Sequence, residues 1–207
     1  MSKDLYVIGL TGPSGAGKGA VAGLLAQRSI PVIDADRVYH ELLIPPSPCL
    51  DALTEEFSSA ILSDDGTLDR RALSTIVFED SESGRKKLEV LNHIAHHFVT
   101  EKTIALLSQY RAEKKRAAVI DAPLLLEAGM ERLCDYTIAV LADKQTRLAR
   151  LIARDRRSEK DILARMAAQP DDDFYRTRVD TVLYNNDDLA ALSTAVDDLC
   201  KRLEVCS

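Results

Sequence analysis

The stretch that most constrains this chain is LYVIGLTGPSGAGKGA, residues 5–20. Leu5–Leu10 is a short apolar run of the kind a buried strand makes, and Ala20-Val21-Ala22-Gly23-Leu24-Leu25 has helix-forming composition. Between them lies Gly12-Pro13-Ser14-Gly15-Ala16-Gly17-Lys18. Strand, glycine-rich loop and helix in that order make a phosphate-binding loop. Glycines let successive backbone N–H groups close on one anion, where Cβ atoms would obstruct the approach. The helix that follows brings roughly half a positive charge to the same place. Lys18 is a mobile ammonium for the β- and γ-phosphates. GxxxxGK alone would also fit an ordinary turn; the flanking strand and helix favour the phosphate site. The position after the lysine, where a Ser or Thr hydroxyl ordinarily holds Mg²⁺, is Gly19.

Length and composition narrow the partners. A chain of 207 residues suits one domain with a small insertion, and 46% hydrophobic residues suffice for a core. A net charge of −6 and the absence of Trp argue against nucleic acid, so an anionic ligand must meet a local basic patch. No apolar run reaches 18 residues, which excludes a membrane-spanning helix, and Met1-Ser2-Lys3-Asp4 does not read as a secretory leader. Cys49, Cys134, Cys200 and Cys206 lack CxxC spacing and read as reduced cytoplasmic thiols.

Four further strands are expected: Val32-Ile33, Ala117–Asp121, Tyr136–Leu141 and Thr181–Tyr184. Alternation with helices predicts a three-layer α/β fold with a five-stranded parallel sheet. The second strand ends at Asp34-Ala35-Asp36. Asp36 suits a helix cap; Asp34, nearer the strand end, is placed to take a proton from an attacking hydroxyl. Asp121 ends the third strand and is a candidate Mg²⁺ ligand, directly or through water, or a turn cap. Glu127, after three leucines, is either a site residue or a surface acid. Ile44-Pro45-Pro46-Ser47-Pro48 marks a boundary, and residues 45–114 read as a helical insertion that could clamp a substrate. Within it Asp69 opens a helix carrying Arg70 and Arg71. Glu89, His93, His96 and His97 have zinc-like spacing with no further ligand, and read as ordinary helix residues. Residues 147–170 read as a lid: Arg147, Arg150 and Arg154 share a helical stripe, Arg156 and Arg157 follow, and Ser158 caps the next helix.

Taken together, GLTGPSGAGKG, IDADRVYHELL, DGTLDRRAL, VF with Glu79-Asp80, LEVLNH, APLLLE, the RLxRLIARD arginines, Gln169 and the late YNN resemble the dephospho-coenzyme A kinase family over about residues 5–186. The resemblance implies a single P-loop NTPase-type kinase domain over 1–207. It would transfer the γ-phosphoryl of ATP to the ribose 3′-hydroxyl of dephospho-coenzyme A, the last step of coenzyme A biosynthesis. It implies that Gly12, Pro13, Ser14, Gly15, Ala16, Gly17, Lys18, Gly19 and Ala20 hold ATP, with Asn185 or Asn186 near adenine. Arg150 and Arg154 would be lid arginines on the phosphates. Asp34, Lys18 and Arg150 would be catalytic. Asp34, Arg71, His93, Leu126 and Glu127 would face dephospho-coenzyme A. Mg²⁺ is the expected cofactor, ATP being co-substrate, with Asp34 and Asp121 as its protein oxygens. The expected partners are ATP and dephospho-coenzyme A, without nucleic acid or membrane, for a cytoplasmic monomer or weak homo-oligomer.

Three positions depart from the family pattern: Gly19 for a hydroxyl residue, His93-Ile94 for His-Pro, and Val179-Asp180 for Ala-Asp. Two other readings stay open on the sequence. One is a kinase of another small nucleotide or alcohol. The other is a non-catalytic nucleotide or coenzyme A sensor, motivated by Gly19.

Overall fold

Five strands form one parallel sheet: β1 (Tyr6–Thr11), β2 (Val32–Asp34), β3 (Ala117–Asp121), β4 (Tyr136–Leu141) and β5 (Thr181–Tyr184), in the spatial order β2-β3-β1-β4-β5. The computed structural model describes residues 5–155 and 158–205, so Met1–Asp4, Arg156, Arg157, Cys206 and Ser207 lie outside the described residues. The central strands are nearly unbroken runs of Val, Ile, Leu and Ala, and every residue of β3 is buried. This is what a parallel sheet covered on both faces requires. Alternate residues serve opposite layers. Ile138 and Val140 share a cluster with Val21, Leu24 and Leu25 of α1 (Lys18–Gln27) and Leu192, Val196 and Leu199 of α9 (Leu189–Leu203). Ala139 and Leu141 instead pack with Tyr175. Truncating a fully buried leucine such as Leu25 to alanine should cost about 2–5 kcal/mol.

The chain divides into two compact units. One runs to Asp34 and resumes at Leu107; the other is Ala35–Leu106. The second contains α2 (Ala35–Glu41), α3 (Pro48–Phe57), α4 (Arg70–Val77) and most of α5 (Glu82–Ala112). Its own core gathers Leu43, Cys49, Leu53, Phe57, Ile61, Leu73 and Val77. α3 starts where the proline run ends: Ser47 Oγ accepts from Leu50 N–H at 3.1 Å, and Pro48 opens the first turn, where its missing donor is not needed. Asp69 caps α4, accepting from Arg71 and Ala72 N–H at 2.8 and 3.0 Å. Asp36 does not cap α2. The strand runs to Asp34 and the helix begins at once, so Asp36 lies inside the first turn, where its charge still favours the dipole.

In the first unit α6 (Lys144–Asp155), α7 (Glu159–Ala167) and α8 (Asp172–Arg176) lie between β4 and β5 in sequence. Ser158 caps α7 by accepting from Asp161 N–H at 3.2 Å. Cys49 and Cys134 carry free thiols, and burial pushes them up to about 11 and about 12. Among the described residues no helix is long and apolar enough to cross a membrane.

Candidate active site

The site forms where the sheet's strands end. In the parallel register Leu10 lies opposite Asp121, and Asp121 opposite Asp34. Two carboxylates therefore stand side by side at the carboxyl edge, next to the strand that enters the glycine-rich loop. This is the edge at which open α/β sheets bind ligands. Asp121 is 6% exposed and forms an ion pair with Lys18 Nζ at the start of α1. The sequence suggests a role for each of these residues but gives no hint that they meet.

The loop's glycines are dictated by its path. Gly12 and Gly17 have φ of +141° and +96°. A Cβ on Gly12 would collide with the Val140 carbonyl, and one on Gly17 with the Asn185 amide. Thr11 Oγ1 donates to Pro123 O at 3.1 Å, tying the end of β1 to the segment after β3. Gly19 differs: it is exposed, and a Cβ there would meet nothing within 4 Å.

Four side chains from outside this loop grip it. Arg147 of α6 is 8% exposed; its Nε donates to Ser14 O at 2.9 Å and its Nη2 to Gln169 Oε1 at 3.2 Å. Burial holds this guanidinium below its usual value, with Asp172 and Tyr175 pulling the other way. Gln169, just beyond α7, accepts from Ser14 N–H at 3.1 Å and donates through Nε2 to Ser14 Oγ at 3.2 Å. Arg150 Nη1 donates to Asn185 O at 2.9 Å and to Ala16 O at 3.4 Å. Asn185 is buried, and its Nδ2 donates to Ala16 O at 2.8 Å. Asn186 Oδ1 accepts from Asp143 N–H at 2.8 Å.

The stripe of arginines thus splits. Arg147 and Arg150 reach the loop, whereas Arg154 is exposed and paired with Asp155, Nη2 to Oδ2 being 3.0 Å; that hydrogen bond raises its affinity for protons. Leu126 packs beside Tyr175. Glu127 is exposed, and its charge adds to burial in pushing the Tyr175 hydroxyl up to about 12. Arg71 and His93 belong to the second unit, both exposed. His93 adds to burial in holding His96 below its ordinary value. Among the described residues no three His, Cys, Asp or Glu side chains gather to hold a metal, Glu89 and the α5 histidines included. Reasoning from sequence missed the part played by Gln169 and the inward turn of Arg147. Their only signal was position: an arginine one turn into the helix after β4, and a glutamine at the end of the next helix.

A sequence profile of dephospho-CoA kinases matches residues 6–191, nearly the whole described chain. The chain belongs to the dephospho-CoA kinase family. A dephospho-CoA kinase from Symbiobacterium thermophilum is 39% identical over 185 residues, covering 89% of this chain and 76% of that one. Another, from Halalkalibacterium halodurans, is 33% identical over 199 residues, covering 96% and 97%. A crystal structure from Thermus thermophilus has a TM-score of 0.80 at 31% identity, covering 97% of this chain and 99% of that one. The kinase therefore has the α/β P-loop fold expected from its sequence. It is a phosphotransferase that uses ATP to phosphorylate dephospho-coenzyme A in coenzyme A biosynthesis.

Proposed function

We propose that the kinase holds ATP at Gly12–Ala20 and uses Asp34 to deprotonate the ribose 3′-hydroxyl of dephospho-coenzyme A. The observation that carries this reading is the row Leu10, Asp121 and Asp34 at the carboxyl edge, with Lys18 already on Asp121. In the transfer the 3′-oxygen forms a bond to the γ-phosphorus as the bond from that phosphorus to the bridging oxygen breaks. ADP leaves with the electron pair, and the hydroxyl proton passes to Asp34. Lys18 exchanges Asp121 for phosphate oxygens, and Arg150 and Arg154 add positive charge as it shifts toward the leaving group. Asn185 or Asn186 stands near adenine. Arg71, His93, Leu126 and Glu127 contribute to the dephospho-coenzyme A side.

Magnesium, when bound with ATP, neutralises phosphate oxygens. Adjacent hard oxygen donors fit it: Asp121 and Asp34 would hold it directly or through water, in keeping with its use of one or two carboxylates. Thr11 is a poor substitute for the hydroxyl absent at Gly19, because it closes β1 and does not stand in the first turn of α1, from which that hydroxyl would point. The kinase works as a cytoplasmic monomer or weak homo-oligomer, without nucleic acid or membrane.

The test mixes pure protein, ATP, Mg²⁺ and dephospho-coenzyme A and follows coenzyme A by chromatography, with nucleoside monophosphates as competing acceptors. Coenzyme A is the expected product. Product from a nucleoside monophosphate alone would reassign the acceptor. Tight ATP binding without turnover at high enzyme concentration would make the chain a sensor.

A further inference from the structure

All three polar groups of Ser14 are held from outside the loop: N–H by Gln169 Oε1, C=O by Arg147 Nε, and Oγ by Gln169 Nε2. Arg147 also donates to Gln169 Oε1, so the two side chains act as one clamp. A peptide unit is planar and trans, so its C=O and the following N–H point in opposite directions. Fixing the Ser14 carbonyl toward α6 turns the Gly15 N–H to the opposite side. Two residues on, Arg150 and Asn185 hold the Ala16 carbonyl, which by the same planarity turns the Gly17 N–H away from those two side chains. Gly15 and Gly17 have φ of +81° and +96°, the left-handed backbone that makes a concave nest of N–H groups.

We propose that Arg147 and Gln169 are positioning residues that aim the phosphate loop's amides by immobilising Ser14. Neither touches phosphate in this role. They fix the loop before ATP arrives, so the donors need not reorganise as charge develops on the transferring phosphoryl group. Gln169 supplies the geometry: a side-chain amide offers the acceptor and the donor that Ser14 N–H and Oγ require together. Arg147 supplies rigidity, because its buried, planar fork spans the Ser14 carbonyl and Gln169 at once. The clamp also ties the end of α7 and the start of α6 to the loop, through contacts 155 and 133 residues apart in sequence.

The inference rests on the kinase reading, and its test includes a readout that does not. Gln169→Ala, Gln169→Glu and Arg147→Lys are compared with the parent in three measurements. These are ADP affinity by calorimetry, KM and kcat with ATP or dephospho-coenzyme A varied, and the unfolding midpoint without nucleotide. Gln169→Ala should weaken ADP and raise the KM for ATP roughly tenfold, the scale of one or two lost hydrogen bonds. kcat should fall, with the KM for dephospho-coenzyme A unchanged. Gln169→Glu keeps the acceptor toward Ser14 N–H and Arg147 but has no N–H for Ser14 Oγ, and should recover part of the ATP KM. Arg147→Lys keeps the charge without the fork and should resemble Gln169→Ala. Should Gln169→Ala not fold, the two conservative variants carry the same comparison. Parent-like ADP affinity and ATP kinetics in Gln169→Ala would overturn the proposal. So would equal losses for both substrates alongside a lowered midpoint, the signature of a merely structural residue. A parent that binds ADP but makes no coenzyme A would defeat the acceptor assignment, and the clamp would still be judged on ADP affinity.

Discussion

Restoring a hydroxyl at Gly19 tests how the kinase manages magnesium. Gly19 is the second residue of α1, exposed, with nothing within 4 Å of the place a Cβ would occupy, so Gly19→Ser carries no steric cost. Serine is favoured over glycine in a helix by about 0.5 kcal/mol. In a chain of this size that raises the unfolding midpoint by about 1–2 °C. The effect on the metal should be larger. Asp121 is paired with Lys18, and Thr11 closes β1 and is not in the first turn of α1, so a serine at position 19 would add an oxygen that a water would otherwise have to supply. The Mg²⁺ concentration for half-maximal activity should fall by about tenfold, the low end of what a supporting contact contributes to a metal site, and turnover should rise. The assay titrates Mg²⁺ at fixed ATP for the parent, Gly19→Ser and Gly19→Ala, with unfolding scans of all three. Alanine fills the same space and favours the helix more, but brings no oxygen. It should stabilise without moving the magnesium curve. If Gly19→Ser has the parent's magnesium dependence and turnover, another group already supplies that ligand and the reasoning fails.

Asp34→Asn should leave ADP affinity unchanged and lower turnover by roughly 10²-fold or more, the scale of a positioned base; calorimetry beside the coupled assay checks both. Arg150→Ala removes the contacts to Asn185 O and Ala16 O, so the KM for ATP should rise and kcat fall while the KM for dephospho-coenzyme A stays put. Tyr175 is raised from 10.0 to about 12, by burial first and then by Glu127. A raised acid is neutral in the fold, so its contribution to stability is complete below pH 10 and lost as pH climbs through about 12. Urea unfolding from pH 9 to 12 should show that decline, and Tyr175→Phe should flatten it. Tyr39, also raised to about 12 by burial, contributes in the same window and is separated by its own Phe variant.

What could be read from sequence was what neighbouring residues decide. The strands are visible because a covered parallel sheet needs unbroken apolar runs. The loop is visible because its path at Gly12 and Gly17 admits only glycine, and the caps at Asp69 and Ser158 because the donors lie within three residues. Asp34 and Asp121 could be singled out as acids ending strands. Their adjacency depends on β3 lying between β1 and β2, a pairing order that no local pattern encodes. The arginine stripe was correct as helical spacing, yet its members diverge: burial turns Arg147 onto Ser14, while Arg154 finds Asp155 beside it. Gln169 was least legible, since a neutral side chain at a helix end looks like surface until Ser14 is folded against it.

The central claim is that this site moves the γ-phosphoryl of ATP onto the ribose 3′-oxygen, with Asp34 taking the proton. The most direct measurement is phosphorus NMR of the isolated product from dephospho-coenzyme A and ATP, run in parallel for the parent and Asp34→Asn. The parent should give one new phosphomonoester, at the 3′ position, in step with ADP. Asp34→Asn should give almost none under conditions where it binds ADP normally. A phosphate at any other position, or equal product from the two proteins, would contradict the account.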